Sequence, residues 1–321
     1  MLLENARERG KELAVDDGST QRSWAALLER SLRFAHFLSE DCGQAPGSHV
    51  AILMRNRTEV VELLLGSVFA GQWLTPINWH LSEEEIAYVV EDSGARIIVT
   101  DTHFAPLLER VTAGHPGVRT IVVGAELDGL LAATGPGRVF DVPELAAPAG
   151  GNMIYTSGTT GRPKGVKRAA PATIGDALAL YERSGRSIGL DGSGPHLITG
   201  PMYHAAPLMF AIYDNVCGAP ILIMPRWDER EALEILMRRE EAHVHLVPTM
   251  SVRQLRLPEA ERRAFHAPKL SQVLHGAAPF AVPVKERMIY WWGPILVEYW
   301  GGSEGGVNTL IDSHDWRAHP G

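Results

Sequence analysis

An α/β fold in two lobes, with mostly parallel sheets covered on both faces, is predicted by two patterns in this 321-residue chain. Short runs that are apolar throughout, such as Val50 to Met54, alternate with stretches of helical period, and a strand without polar positions is one buried on both faces. A Gly-, Ala- and Pro-rich connection, Gly124 to Gly151, interrupts the alternation, which then resumes. With 45% hydrophobic and 21% charged residues the chain can bury a sizeable core.

In order, Ser23 to Glu40 places Trp24, Leu27, Leu28, Phe34, Ala35 and Leu38 on one helical stripe. Val50 to Met54 is a strand, and Glu59 to Ala70 a helix closed by Gly71. Trp73 to Ile77 is a short strand. Ser82 and Glu85 form a capping box that opens a helix stopping at Gly94. Strands follow at Arg96 to Thr100 and Arg119 to Val123, with a helix from Ala105 to Thr112 between them. The second half gives strands at Asn152 to Tyr155, Ile221 to Met224, His243 to Val247, Gln272 to His275 and Leu296 to Tyr299. Asp228 and Glu231 cap a helix reaching Glu241, and another spans Val284 to Trp291. No internal repeat or low-complexity tract is present.

A net charge of −8 argues against nucleic acid or an anionic membrane as partner. Cys42 and Cys217 form no paired motif and are expected as buried free thiols of a reducing compartment. The N-terminus lacks an apolar signal segment, and the longest near-apolar stretch, Val60 to Gly71, contains Glu62 and is too short to cross a bilayer. A cytoplasmic protein without a transmembrane segment is expected; oligomeric state is not readable.

The densest chemistry lies in Tyr155 to Val166. Thr156, Ser157, Thr159 and Thr160 interleave with Gly158 and Gly161, and Arg162-Pro163-Lys164-Gly165 follows. Glycines let the backbone approach an anion, hydroxyls and N–H groups ring its oxygens, and the two cations offset its charge. The Walker pattern requires Gly-Lys-Ser/Thr opening a helix; here Lys164 stands three residues past Gly161 with a proline between, so a P-loop is disfavoured. Two further strand ends, and a third segment, open loops of site-like composition. Glu298 to Gly306 carries Trp300, Gly301, Ser303 and Glu304; Leu274 to Pro279 carries Gly276, Ala277 and Ala278; Pro201 to Pro207 carries His204. His243 and His245 share one strand face, but no third metal ligand is evident, so core or pocket-lining positions are expected. Arg226, Arg230, Arg238 and Arg239 alternate with acids and read as a solvated helix face.

The order Thr-Ser-Gly-Thr-Thr-Gly-x-Pro-Lys-Gly from Thr156 resembles the signature of adenylate-forming enzymes, the superfamily of acyl-CoA synthetases, adenylation domains and luciferases. Leu65 to Gly71 followed by Leu74 to Asn78, and Trp300-Gly301-Gly302-Ser303-Glu304, are similar to further segments of that family, with Trp for Tyr and Ser for Thr in the last. The resemblance implies two doubly wound subdomains, roughly residues 1–71 with 200–310 and residues 72–199, with the β-barrel part incomplete. It implies that Thr156 to Gly161 and Lys164 hold the β- and γ-phosphates of ATP. Gly276, Ala277, Ala278, Trp300 and Gly301 would pack the nucleotide, Ser303 would contact the α-phosphate, Glu304 would bind Mg²⁺, and His204 would border the reacting carboxylate. Family members continue with a ribose-binding Asp, a hinge and a C-terminal domain carrying a catalytic Lys, which match nothing here. The chain is therefore expected to be the N-terminal adenylation part without its lid domain, inactive or weakly nucleotide-binding alone.

Amino-acid-activating members carry an Asp where this chain has His204, which leaves a buried ammonium without a partner. Ala205, Ala206, Gly276 and Leu208 are expected to form a roomy apolar pocket. The expected activity is ATP-dependent conversion of an apolar carboxylic acid, such as a fatty acid or sterol side chain, to acyl-AMP and then, with CoA, to acyl-CoA. Trp291-Trp292-Gly293 and Tyr299-Trp300-Gly301-Gly302 are most similar to actinobacterial-type fatty-acyl and sterol-side-chain ligases. An aryl-acid ligase and a non-catalytic nucleotide- or acyl-binding fragment remain open alternatives.

Overall fold

A computed structural model of the chain describes residues 2–134, 145–156, 161–238 and 242–320. Its strands are β1 (Leu13–Asp16), β2 (Gln21–Ser23), β3 (His49–Leu53), β4 (Trp73–Pro76), β5 (Ile97–Thr100), β6 (Arg119–Val122) and β7 (Gly151–Thr156). They continue with β8 (Lys164–Lys167), β9 (His196–Ile198), β10 (Ile221–Ile223), β11 (His243–Leu246), β12 (Gln272–His275), β13 (Leu296–Gly302) and β14 (Gly306–Asp312). Two sheets result. One has the order β14-β13-β12-β11-β9-β10-β1-β2, the other β6-β5-β3-β4-β7-β8, and neither closes into a barrel among the described residues. Pairings within both are parallel except β1 with β2, β13 with β14 and β7 with β8. Helices cover the sheets because strands such as β4, β5, β10 and β11 bury every residue and need apolar cover on both faces.

Sheet membership differs from the division at residue 71. β3 pairs with β4 and β5, so Val50 to Leu53 belong to the six-stranded sheet, while the following helix Thr58–Phe69 is wholly buried. One apolar cluster containing Trp24, Phe34, Leu64, Tyr181, Phe210 and Tyr299 runs between the sheets.

Local signals account for several boundaries. Ser82 accepts from the Glu85 N–H while the Glu85 carboxylate accepts from the Ser82 N–H, and Gly94 closes that helix at φ +67°. Asp228 caps the next expected helix through the Arg230 and Glu231 N–H groups. The connection Gly124 to Gly151 contains a helix, Ala125–Ala133, that buries Leu127 and Leu131. Residues 135–144 of that connection lie outside the described residues. Cys217 is buried, but Cys42 is half-buried beside Arg119, and both are free.

In the eight-stranded sheet the chain passes from β9 to β10 on one side and then returns to place β11 on the other side of β9. Such a reversal opens a crevice at the carboxyl ends of the strands.

Candidate active site

The crevice is real: a cavity of about 510 Å³ lies at these strand ends. Gly200 and Pro201 follow β9, Val247 and Met250 follow β11, Ala277 follows β12, and Gly301, Gly302 and Ser303 come from the end of β13 and its turn. The helix Ala205–Cys217 forms one wall with Ala205, Ala206, Met209, Phe210 and Tyr213. His204, Ala277, Gly301 and Ser303, distant in sequence, thus meet around one space together with Ala205 and Ala206. Gly276 and Leu208 do not line it. Leu208 is fully buried in the core, and a Cβ at Gly276 would stand 2.5 Å from the Tyr299 carbonyl oxygen, so this glycine is required by the close approach of β13. Ala278 is exposed beyond the cavity rim.

His204 is held from below by a buried amide. Asn56 donates to the Gly200 and Met224 carbonyls at 2.8 and 3.1 Å and accepts from the Met202 N–H at 2.8 Å, which fixes the segment entering His204. Tyr203 meets Trp79 edge-on with centroids 4.5 Å apart, so the loop after β4 packs on the same segment. Desolvation, with nearby His80 adding like-charge repulsion, holds the His204 imidazole below its ordinary pKa. It therefore faces the cavity as a neutral ring. Sequence reading missed Asn56 and Trp79, whose partners lie more than a hundred residues away.

The phosphate-type loop joins β7 to β8 in an antiparallel hairpin, with Thr156 opposite Lys164. Lys164 and Gly161 are exposed, and Gly161 takes φ +91°. Ser157, Gly158, Thr159 and Thr160 lie outside the described residues. At the hairpin base Lys167 Nζ lies 3.2 Å from His49 Nε2 and 4.2 Å from the Trp73 ring centre. Beyond it, Arg168 Nε donates to the Ser303 carbonyl at 2.7 Å and its Nη2 to Gly302 at 3.3 Å, tying this hairpin to the β13–β14 hairpin.

Glu304 occupies the exposed turn of that second hairpin and has no hydrogen-bond or ion-pair partner among the described residues. A free carboxylate suits a hard cation that takes one or two protein oxygens and completes its shell with phosphate and water. Trp300 is 70% exposed, leaving an aromatic face open to a flat ligand. A Cβ at Gly301 would lie 2.0 Å from the Gly306 carbonyl oxygen, so the hairpin itself demands glycine there.

His243 and His245 diverge in role. His245 lines the cavity and Nε2 pairs with the Tyr299 hydroxyl at 3.0 Å; burial pushes its pKa down to about 3. His243 Nδ1 and His196 Nδ1 instead both donate to Asp214 Oδ2, at 2.6 and 3.0 Å, in a fully buried trio. Asp214, on the helix Ala205–Cys217, is the third group the sequence pattern did not reveal. The exposed ion pairs Arg230–Glu261 and Arg238–Glu234 fit a solvated face, while Arg239 lies outside the described residues.

No helix among the described residues is long and apolar enough to cross a membrane. The sequence is 30% identical over 250 residues to a 2-succinylbenzoate–CoA ligase of Geobacillus kaustophilus, covering 76% of this chain and 47% of that protein. It is 28% identical over 241 residues to the long-chain-fatty-acid–CoA ligase FadD13 of Mycobacterium tuberculosis, covering 74% of this chain and 46% of the relative. The chain thus spans about half the length of the curated relatives it matches. The N-terminal domain of FACL13 from M. tuberculosis, solved with an inhibitor bound, shares the fold at a TM-score of 0.85 and 24% identity, over 99% of this chain and 79% of that one. The profile of the family described as AMP-binding enzyme matches residues 2–321, and the chain belongs to that family.

Proposed function

We propose that this chain supplies the adenylation site of an ATP-dependent acid–CoA ligase that activates an apolar carboxylic acid, a fatty acid or sterol side chain. The observation that carries this reading is the composition of the cavity: Met209, Phe210, Val247, Met250 and Ala206 line it, and no carboxylate does among the described residues. An amino-acid substrate would need such a carboxylate for its ammonium.

In the reaction the acid's carboxylate attacks the α-phosphorus of ATP, the bond to the bridging oxygen of pyrophosphate breaks, and CoA thiolate later displaces AMP from the acyl carbon. Chemistry of this kind needs positioning and charge neutralisation rather than covalent help. Lys164 and the Thr156-to-Gly161 segment are assigned to the departing pyrophosphate, and Ser303 to the α-phosphate. Trp300 offers its exposed face to the adenine, beside Gly276, Ala277 and Ala278. Glu304 would hold Mg²⁺, which supplies further neutralisation of phosphate oxygens. His204, neutral at the cavity wall, can donate one N–H to a carboxylate oxygen without a competing charge of its own.

The test is a panel of saturated fatty, sterol side-chain, aryl and amino acids assayed for ATP–pyrophosphate exchange with this chain extended to the full length of its relatives. Preference for the apolar aliphatic acids supports the reading. Exchange restricted to aryl or amino acids overturns it.

A further inference from the structure

Arg168 is the only permanently charged residue among the described residues lining the cavity. No acid faces it there, and its two hydrogen bonds go to main-chain carbonyls, Ser303 at 2.7 Å and Gly302 at 3.3 Å. A guanidinium carries five N–H donors in a planar fork, so three remain after these bonds. Gly306 shapes the space around them: a Cβ there would lie 3.1 Å from Nη1, so glycine leaves the guanidinium room. The neighbouring walls are aromatic and aliphatic, and both lining histidines are neutral, with His204 held low by desolvation and His245 at about 3 by burial. A half-buried cation in such surroundings, held in place through the main chain and with donors to spare, is a receptor for a planar anion.

We infer that Arg168 is the cavity's carboxylate-binding residue and that it selects the charged end of the acid. This rests on the acyl reading of the cavity above. The carboxylate it takes is either the reacting one, beside Ser303, or a second one at the far end of a dicarboxylic acid. The main-chain bonds to Gly302 and Ser303 give Arg168 its aim, and the remaining fork faces the ligand.

Calorimetric titration of this chain with octanoate, octanamide and octanedioate separates these possibilities. Wild type is expected to bind at least one of the two acids about tenfold or more tightly than octanamide. R168Q is expected to erase that preference while leaving octanamide affinity within about twofold, and R168K to restore part of it, because lysine keeps the charge but not the fork. Loss confined to octanedioate assigns the second carboxylate, and loss for octanoate as well assigns the reacting one. An acid preference that survives R168Q overturns the inference, as does an equal loss for all three ligands, which would make Arg168 a clasp between hairpins and nothing more. If none of the three binds to wild type, the acyl reading of the cavity falls and the inference with it.

Discussion

Tyr155 donates its hydroxyl to Asp92 Oδ2 at 2.6 Å, fastening the first strand of the β7–β8 hairpin to the end of the helix Glu83–Ser93. The same carboxylate accepts from Tyr88 at 3.3 Å, and the Arg162 guanidinium lies 5.1 Å from the Tyr88 ring centre. Both limbs of the hairpin, one before and one after the glycine loop, are therefore held by one helix. Burial and the adjacent Asp92 carboxylate raise the Tyr155 pKa, which keeps the phenol a donor throughout the usual range.

Tyr155→Phe removes one hydrogen bond to a carboxylate that stays solvated, so the expected loss of stability is about 1 kcal/mol. The larger expected effect is on nucleotide use, with KM for ATP rising several-fold and KM for the acid unchanged. Urea unfolding and exchange kinetics measure the two, and an equal rise in both KM values would break the link between this anchor and the phosphate site.

Lys164→Ala and Glu304→Gln alter exposed groups, so neither should move the melting temperature by more than a degree or two. In a protein extended to the full length of its relatives, each should slow adenylation by about 10²–10³, the usual cost of removing a charge-stabilising contact from a transition state. The routes differ. Raising Mg²⁺ should recover part of the Glu304→Gln rate and none of the Lys164→Ala rate. Wild-type exchange rates in both variants would remove these residues from the site.

Much of this was legible in the chain because its signals are local. The capping box at Ser82, the glycine stop at Gly94 and the apolar strands depend on neighbours within a few residues. Two of the loops that meet at the cavity were legible for another reason: Ala277 and Ser303 each follow a predicted strand, and parallel strands deliver their ends to one edge, whereas the strand His196–Ile198 that leads to His204 was not read. What stayed hidden depends on pairing at long range. β8 reads as Lys-Gly-Val-Lys, three of its four residues are exposed, and only its partner β7 makes it a strand. Arg168 carries no local signal in the sequence; its bonds to Gly302 and Ser303, more than 130 residues away, place it at the cavity wall. The helix Ala205–Cys217 is apolar nearly all round and so gave no stripe to read.

Two substitutions that look alike in sequence should part company. Ala206→Leu fills the cavity and is expected to raise KM for long acids about tenfold while sparing short ones and ATP. Gly276→Leu forces a side chain into the Tyr299 main chain and is expected to destabilise the protein by about 2–3 kcal/mol whatever acid is offered. Thermal melts alongside an acid chain-length series test the pair. A folded Gly276→Leu variant with a shifted acid profile would return Gly276 to the pocket wall.

Acid sensitivity follows from the buried imidazoles. Burial holds His245 at about 3, and burial with the charge of Lys285 nearby holds His275 at about 3. An unfolded histidine titrates near 6.5. Below that pH the unfolded chain binds protons that the folded chain excludes, so the stability these residues allow is complete above about 6.5 and falls as pH drops toward the folded value. Each should contribute a slope of about 1.4 kcal/mol per pH unit. Asp214 acts in the same direction at lower pH: burial raises its pKa, but hydrogen bonds from His196 and His243 outweigh burial and leave it at about 2. Its contribution is present above about 4 and is lost only as pH falls toward 2. Denaturant midpoints should thus begin to fall between pH 6.5 and 5, well before carboxylates protonate. Among the described residues His275 has no hydrogen-bond partner at either ring nitrogen, and it meets Phe280 edge-on at 4.9 Å, so His275→Leu should keep or raise stability at pH 7 and flatten the acid slope by about one proton's worth. A slope that His275→Leu leaves untouched would mean that His275 takes up its proton in the folded state as readily as in the unfolded chain, and that burial does not hold it neutral.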